Sequence, residues 1–339
     1  MIKVLVAEDS PVVRKLIISI LQSDPGIRVV GVAKNGIEAV EMAESLRPDI
    51  ITMDIVMPKM DGVEATQLIM SQQPTRIVVV TASVNTEESR PAFQAMKAGA
   101  LVVVDKPRGA NHKDFRDVSQ RLIKTIKMMA EVKVVTRWPA RQKPSAKDRQ
   151  KASTRIIAIG ASTGGPAAIC QILNGLPKDL AVPILIVQHM TPGFGTAFAT
   201  WLDSENEMSV QIGQMGRKLE AGQVYVAPDN YHTGISGDNK IVLTSKKISF
   251  NHHRPSINYM FDAVAKCYGS KALAVLLTGM GEDGALGLRK IKQAGGTTIA
   301  QDEASSIVFG MPKSAITMGA VDHILPLDKI TSKVMQLLY

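Results

Sequence analysis

Residues 2–11 read IKVLVAEDSP, and this stretch decides the fold of the first third of the chain. The unbroken apolar run of residues 2–7 is typical of a strand that is buried on both faces of a parallel sheet. Two acids, Glu8 and Asp9, follow where the strand ends, and Ser10-Pro11 then supplies a helix N-cap with proline at the first helical position. A buried strand that runs into acids and then into a helix predicts the opening of an α/β fold.

The same alternation continues to about residue 130. Apolar residues at helical spacing separate four further β-branched runs, namely RVVGVA (28–33), DIITM (49–53), RIVVVT (76–81) and LVVV (101–104). Five strands that alternate with helices predict a doubly wound, five-stranded parallel sheet, because right-handed crossovers place helices on both of its faces.

Charged and hydroxyl side chains follow these strands at the edge of the sheet where ligands bind. Three carboxylates at one edge repel each other unless a cation lies among them, and Mg²⁺ prefers oxygen ligands. We therefore expect Glu8, Asp9 and Asp54 to hold Mg²⁺. Asp54 is then the exposed phosphoryl acceptor, Lys106 pairs with a phosphoryl oxygen, and the Thr81 hydroxyl moves onto the same group. Each acid taken singly is better explained as a solvated strand-end residue, and only the set favours function.

Taken together, the acid pair, the segment MDIVMPKMDG (53–62) and Lys106-Pro107 resemble the receiver domain of two-component response regulators, over residues 1–125. The resemblance implies that a sensor histidine kinase phosphorylates Asp54. Many receivers carry an aromatic residue between the switch hydroxyl and the lysine, whereas Val103 stands at that position here. The aromatic switch is therefore absent, and the mode of signal transmission is open.

The net charge of +9 is concentrated in one short stretch. Residues 131–155 carry eight Lys or Arg against two Asp or Glu, together with two prolines, so we expect a basic linker over residues 126–154. Because the flanking parts are nearly neutral, nucleic acid is not an expected partner. The first residues do not form a signal peptide, and no run approaches the about 18 apolar residues of a membrane span. Two distant cysteines, read as buried thiols, agree with a reducing cytoplasm. We also expect a monomer.

A second α/β pattern, expected over residues 155–339, opens with TRIIAIGAST (154–163). Later strand-like runs are VPILIVQHM (182–190), ALAVLLTGM (272–280), GTTIAQD (296–302) and AVDHILP (320–326). Between 208 and 250 the pieces are shorter and alternating, as in QVYVAP (223–228) and KIVLTS (240–245). This half therefore predicts a mainly parallel α/β sheet with an antiparallel hairpin region.

Three strand ends of this half present a serine, a histidine and an acid. Ser162 lies in a G-x-S-x-G string between a strand and a helix, which is typical of an exposed nucleophile. His189 ends the second strand, and Asp283 follows the third in a glycine-rich loop, so the set could form a hydrolytic triad. The chain order differs from that of the α/β-hydrolases. Three alternatives stay open: Ser162 as a helix cap or part of a phosphate cradle, His189 as a core histidine, and Asp283 as a cap of the following helix, with Glu282 as a competing acid.

The strings GASTGG (160–165), QHM (188–190) followed by PGF, and LTGMGEDG (277–284) together resemble the chemotaxis protein-glutamate methylesterase family, known as CheB. That family joins a receiver to this catalytic domain, so the resemblance spans nearly the full length. It implies Ser162 as nucleophile, His189 as base and Asp283 as acid, with no cofactor in the catalytic domain. The implied substrate is a glutamate γ-methyl ester on the cytoplasmic helices of a chemoreceptor, and receptor glutamines can be deamidated.

Two further features of this half bear on the site. The backbone N–H groups of Thr163 and Met280 are candidates to bind the oxyanion that develops during attack, although Thr163 can equally be a plain turn residue. Residues 252–256, HHRPS, resemble a family segment near the site and could contact substrate. Metal binding by the adjacent histidines is disfavoured, because neighbouring side chains in an extended loop point apart. A receiver fused to a hydrolase predicts an activity that phosphorylation of Asp54 switches on.

Overall fold

The structure is a computed structural model that describes residues 1–81, 86–109, 112, 115–132, 154–246 and 253–339, with only the backbone for residues 86–89. Most of the basic stretch and His252 therefore lie outside the described residues. The chain divides into two compact units, Met1–Arg137 and Trp138–Tyr339.

The first unit is a parallel sheet with intervening helices. Its strands are β1 (Ile2–Ala7), β2 (Ile27–Ala33), β3 (Ile50–Met53), β4 (Arg76–Thr81) and β5 (Val102–Asp105). They lie in the order β2-β1-β3-β4-β5, and every neighbouring pair is parallel. The helices are α1 (Pro11–Gln22), α2 (Gly36–Leu46), α3 (Gly62–Gln72), α4 (Thr86–Ala98) and α5 (Phe115–Ala130). The predicted five-stranded doubly wound sheet is confirmed.

Helix α5 extends past the expected domain boundary. It ends at Ala130, whereas we expected the domain to end at residue 125 and a linker to begin at 126. The reason is packing, because Ile126 and Met129 are buried on the face that α5 shares with Leu122. The guanidinium Nε of Arg76 also donates to the carbonyl of Val132 at 2.5 Å. The expected boundary at residue 125 is therefore too early.

The second unit is built on a seven-stranded sheet. Its strands, from edge to edge, are β14 (His323–Leu325), β13 (Thr297–Gln301), β12 (Ala272–Leu276), β6 (Ile156–Ala161), β7 (Ile184–Gln188), β9 (Gln223–Val226) and β8 (Ser209–Ile212). Every neighbouring pair is parallel. The helices are α6 (Gly165–Asn174), α7 (Gly195–Glu205), α8 (Ile257–Tyr268), α9 (Ala285–Gln293), α10 (Met311–Thr317) and α11 (Leu327–Leu338).

Strand β6 lies inside this sheet, and later strands of the chain are added on both sides of it. β7 pairs with one side of β6, while β12 pairs with the other. Such a reversal of strand order opens a crevice at the carboxyl ends of the strands, where ligands bind in open α/β sheets. The ends of β6, β7 and β12 are the three points at which the sequence predicts the serine, the histidine and the acid.

The hairpin region is smaller than expected. The antiparallel pair consists of β10 (His232–Ile235) and β11 (Ile241–Thr244), which form a separate two-stranded sheet. The segment QVYVAP, expected in the antiparallel region, instead supplies β9, parallel to β7. Its Val224, Tyr225 and Val226 are almost fully buried, and strands that are buried on both faces are typical of parallel sheets.

Two further sequence expectations can be compared with the structure. Cys170 is buried as expected, but Cys267 near the end of α8 is exposed, so the interpretation of both as buried thiols is wrong for the second. Within the described residues, no helix is long and apolar enough to cross a membrane.

Candidate active site and phosphoacceptor site

Asp54 follows β3 and lies beside Lys106, which follows β5. The Lys106 ammonium contacts Asp54 Oδ2 at 2.6 Å and Glu8 Oε2 at 3.1 Å. The other oxygen of Asp54 accepts from the backbone N–H of Ile55 at 2.7 Å. Asp54 is only 2% exposed, so the carboxylate is not the exposed group that the sequence suggested. It is a buried carboxylate that is paired with the ammonium of Lys106.

The loop after Asp54 explains the Asp-Gly pair of the motif. Asp61 caps α3 by accepting from the N–H groups of Val63 and Glu64 at 2.9 and 2.8 Å. A Cβ on Gly62 would lie 1.9 Å from the carbonyl oxygen of Asp54. Only glycine lets the start of α3 approach the backbone of Asp54 this closely.

Burial changes the pKa values of the acids at this edge of the sheet. It raises the pKa of Glu8, and the charge of Asp54 adds to the effect while Lys106 opposes it. Burial also raises the pKa of Asp54 despite its bond to Lys106. Desolvation alone would lower the pKa of Lys106, but its bonds to the two acids raise it. The carboxylates therefore hold more negative charge than one ammonium balances.

Oxygen atoms of Glu8, Asp9 and Asp54 lie within 4.8 Å of one another. Three carboxylates at this spacing match the oxygen ligands that Mg²⁺ prefers, so the residues fit the ion. Thr81 ends β4 and is buried, and its carbonyl accepts from the N–H of Lys106 at 2.9 Å. Val103 is also buried within β5. The loop at residues 82–85, through which Thr81 would move, lies outside the described residues.

Ser162 occupies a tight turn between β6 and α6. Its N–H donates to the carbonyl of Thr278 at 3.0 Å, and its carbonyl accepts from the N–H of Gly165 at 2.8 Å. Gly164 has a φ of +78°, a left-handed conformation that suits glycine. Two N–H groups of the turn are thus used within the protein, which argues against an open phosphate cradle. The turn instead presents Ser162 at the crevice.

His189 follows β7 and is joined to Asp283. Its Nε2 lies 2.9 Å from Asp283 Oδ2. The imidazole is 7% exposed on its side chain, and among the described residues its Nδ1 has no hydrogen-bond partner. The Ser162 hydroxyl is therefore near the strand end but not bonded to the ring. The competing acid, Glu282, is exposed, and the carboxylate that contacts His189 is that of Asp283.

Asp283 also closes the start of α8, a helix from another part of the chain. Its carboxylate accepts from the N–H groups of Ile257 and Asn258 at 2.8 and 3.0 Å and from the Ser256 hydroxyl at 3.0 Å. Desolvation acts to raise the pKa of Asp283, but the bonds from His189 and from these N–H groups lower it to about 2. Asp283 caps α8 rather than only the helix that follows it.

This pKa predicts an acid-dependent loss of stability. A carboxyl group whose folded pKa is depressed stabilises the fold above its unfolded pKa, and the effect is lost as the pH falls from about 4 through 2. We expect about 2 kcal/mol of unfolding free energy to disappear over that range. Thermal unfolding midpoints of the wild type and Asp283→Asn, measured from pH 7 to pH 2, should differ most at neutral pH and converge in acid. A constant difference at every pH would contradict this.

Two contacts at this site were not predicted. The ring of His253 stacks on the ring of His189, with centroids 4.3 Å apart and an interplanar angle of 12°. The amide of Gln188 contacts both the serine turn and the histidine. The HHRPS resemblance pointed to the first contact without specifying it. Nothing in the sequence pattern distinguished Gln188 from any other residue at the end of a buried strand.

The candidate oxyanion donors lie at the same edge. Met280 is 43% exposed in the loop after β12, and Thr163 is in the serine turn. In the described part of the chain, neither backbone N–H is used by a protein acceptor. Both are therefore open to a ligand. A hydroxyl, an imidazole linked to a carboxylate and unused N–H groups at one strand edge are the components of acyl transfer.

Comparison with known proteins shows the family to which the chain belongs. Residues 157–334 match the family model for CheB methylesterase, and residues 4–115 match the response regulator receiver domain. The chain belongs to the CheB methylesterase family. The fold class expected from the sequence is confirmed. A CheB-family relative from Nitrosospira multiformis, named protein-glutamate methylesterase/protein-glutamine glutaminase, is 48% identical over 99% of this chain and 97% of its own length.

Other members of the CheB family extend the comparison. A relative of the same name from Thermotoga maritima is 40% identical over 99% of this chain and 98% of its own. The solved CheB methylesterase catalytic domain of Thermotoga maritima is 42% identical, with a TM-score of 0.53, and covers 54% of this chain and 98% of that one. Receiver domains of this kind bind Mg²⁺ through an acidic cluster, and the chain has such a cluster.

Proposed function

We propose that Ser162, His189 and Asp283 hydrolyse glutamate γ-methyl esters on chemoreceptors, under the control of phosphorylation at Asp54. Membership of the CheB family makes the chain a phosphorylation-regulated protein-glutamate methylesterase and glutaminase in chemotaxis. The observation that carries the residue assignment is the 2.9 Å bond between His189 and Asp283 beside the turn of Ser162. The test is methanol release from a methylated receptor by the wild type and by Ser162→Ala, developed in the Discussion.

The bond to Asp283 determines which nitrogen of His189 acts as base. An ionised carboxylate accepts only, so Nε2 carries the proton and Nδ1 keeps a free lone pair. Nδ1 takes the hydroxyl proton of Ser162 as the oxygen attacks the ester carbonyl. Asp283 then stabilises the imidazolium without becoming protonated itself.

The remaining steps conserve atoms as follows. The carbonyl oxygen becomes an oxyanion, for which the N–H groups of Thr163 and Met280 are our candidate donors. Collapse breaks the bond to methoxide, which leaves as methanol with the proton from Nδ1. Water, deprotonated by the same nitrogen, then cleaves the acyl-serine and restores the glutamate and Ser162. For a glutamine substrate the leaving group is ammonia. This scheme uses only side chains and N–H groups, so we assign no cofactor to the second unit.

In the first unit we assign Mg²⁺ to Glu8, Asp9 and Asp54. When bound, the ion neutralises charge on the group being transferred. Asp54 accepts the phosphoryl group from a sensor histidine kinase, and the Lys106 ammonium moves from the carboxylate to a phosphoryl oxygen. The Thr81 hydroxyl then turns towards that group. We further infer a cytoplasmic location, because the substrate helices are cytoplasmic. We infer no binding of nucleic acid, because the excess of basic residues is confined to residues 131–155. We also infer a monomer.

The regulatory assignment makes a direct prediction. With a small phosphodonor such as acetyl phosphate and Mg²⁺, methanol release by the wild type should rise at least about fivefold, in the usual range of coupling between sites. Asp54→Asn should keep the unstimulated rate and lose the rise, because an amide cannot accept the phosphoryl group. Omitting Mg²⁺ should have the same effect on the wild type.

A matched control is Asp24→Asn, which removes a surface carboxylate paired with Lys127 at 2.9 Å in the same unit. This variant should respond to the phosphodonor as the wild type does. Stimulation of Asp54→Asn to the wild-type level would reject Asp54 as the acceptor.

A further inference from the structure

Gln188 is the last residue of β7 and lies between the serine turn and the histidine. Its side chain is 5% exposed. The amide nitrogen donates to the carbonyl of Ser162 at 2.8 Å and to the carbonyl of His189 at 2.7 Å. A primary amide has two N–H groups, so both are used. One side chain therefore joins the residue that carries the hydroxyl to the residue that carries the imidazole.

This bridge begins where the sheet stops. The register of β6 and β7 ends with Ala161 opposite Gln188, and the N–H of His189 makes one more bond to the carbonyl of Ala161 at 2.9 Å. Ser162 and His189 are the residues that directly follow β6 and β7, beyond the last paired position. The Gln188 amide adds hydrogen bonds between the segments that follow β6 and β7, beyond the last backbone bond of the sheet. Ser162 and His189 lie in these segments.

The other end of the same amide is unfavourable for stability. Its Oε1 is buried and has no hydrogen-bond partner among the described residues. A methionine of similar length would remove this unpaired oxygen, at the expense of the two N–H bonds to the carbonyls of Ser162 and His189. Departures of this kind from good packing concentrate at functional sites.

Gly165 provides the room for this amide. A Cβ at this position would lie 2.0 Å from Oε1 of Gln188 and 2.7 Å from the Cβ of Ala161. The N–H of Gly165 donates to the same Ser162 carbonyl that Gln188 contacts. Gly165, the last glycine of GASTGG, is thus required by space, whereas Gly164 is required by its positive φ.

We propose that Gln188 is a positioning residue for ester hydrolysis, holding Ser162 and His189 at the separation that proton transfer needs, with Gly165 making room for its amide. The inference rests on the proposed function of the serine and the histidine. Gln188 touches no reacting atom. It acts through two main-chain carbonyls, and misplacement of reacting groups by about 1 Å can cost about a hundredfold in rate.

The test compares Gln188→Met and Gln188→Asn with the wild type in steady-state methanol release. Methionine keeps the volume and loses both donors, so we expect kcat to fall about 10- to 100-fold, with KM changed less than threefold. Asparagine is one methylene shorter and cannot reach both carbonyls, so its kcat should be intermediate. Labelling of Ser162 with a fluorophosphonate counts the folded sites, and the rates are expressed per labelled site. Wild-type kcat in Gln188→Met would overturn the proposal.

A double-mutant cycle separates positioning from packing. Gly165→Ala should lower kcat strongly in the wild type, because the new Cβ displaces the amide, and at least about fivefold less in Gln188→Ala, where no amide is present. Gly237→Ala is the matched control, since a Cβ there meets nothing within 4 Å. Equal losses in both backgrounds would refute the coupling. An active Ser162→Ala would instead refute the proposed function itself, which this inference presupposes.

Discussion

Ser162→Ala is expected to lower kcat for methanol release by about 10⁴- to 10⁶-fold, the loss seen when a hydrolase is deprived of its nucleophile. Affinity for the receptor should change little, because removing one oxygen leaves the surrounding crevice intact. The measurement is methanol release from methylated receptor helices with phosphodonor and Mg²⁺ present.

The control and the rival explanation are tested in the same experiment. Ser332→Ala removes a hydroxyl from α11 that bonds only to the carbonyl of Lys329, and it should be fully active. If the glycine-rich turn only bound phosphate through N–H groups, Ser162→Ala would keep anion binding and there would be no hydrolysis to lose. Methanol release at the wild-type rate by Ser162→Ala would refute the nucleophile assignment.

Asp283→Asn is expected to lower kcat by about 10³- to 10⁴-fold through the wrong tautomer of His189. One oxygen of Asp283 accepts from Ser256, Asn258 and Gly284, so an amide NH₂ placed there would face three donors. At the other position it faces one backbone donor, the N–H of Ile257, so the NH₂ lies there, opposite Nε2 of His189. Nε2 must then accept, the proton moves to Nδ1, and Nδ1 can no longer take the serine proton.

This mechanism can be measured directly. Nitrogen NMR of His189 should show the proton on Nε2 in the wild type and on Nδ1 in Asp283→Asn. Asp262→Asn is the matched control, because Asp262 lies on α8 but pairs with Lys266 and Lys290 on the surface. A fully active Asp283→Asn, or an unchanged tautomer, would contradict the assigned role.

The first unit could be predicted almost completely, because its signals are local. Each strand is a mainly apolar run, and Asp54 and Lys106 follow their strands directly. The expected domain boundary at residue 125 falls inside α5, because no local pattern shows that Ile126 and Met129 still face the core. The strand at 223–226 was placed in the wrong kind of pairing because its neighbours along the chain are short and polar, whereas its neighbour in space is β7.

The residues of the candidate active site in the second unit could be predicted, but the contacts between them could not. Strand ends and glycine turns located Ser162, His189 and Asp283. The contacts between them depend on how distant segments approach, which no local pattern contains. Ser256 follows a proline and could be expected to cap α8, yet its bond to Asp283 joins segments 27 positions apart. The burial of the Asp54 carboxylate likewise follows from packing rather than from its position in the motif.

The shared use of Asp283 by an imidazole and a helix has a consequence for following turnover. When His189 becomes an imidazolium, the charge it gains lies against the same carboxylate that accepts from the N–H groups of Ile257 and Asn258. The chemical shifts of these two amide protons therefore change whenever the imidazole ring gains or loses a proton. The first turn of α8 is a built-in spectroscopic reporter, which senses the chemistry from outside the crevice without any added label.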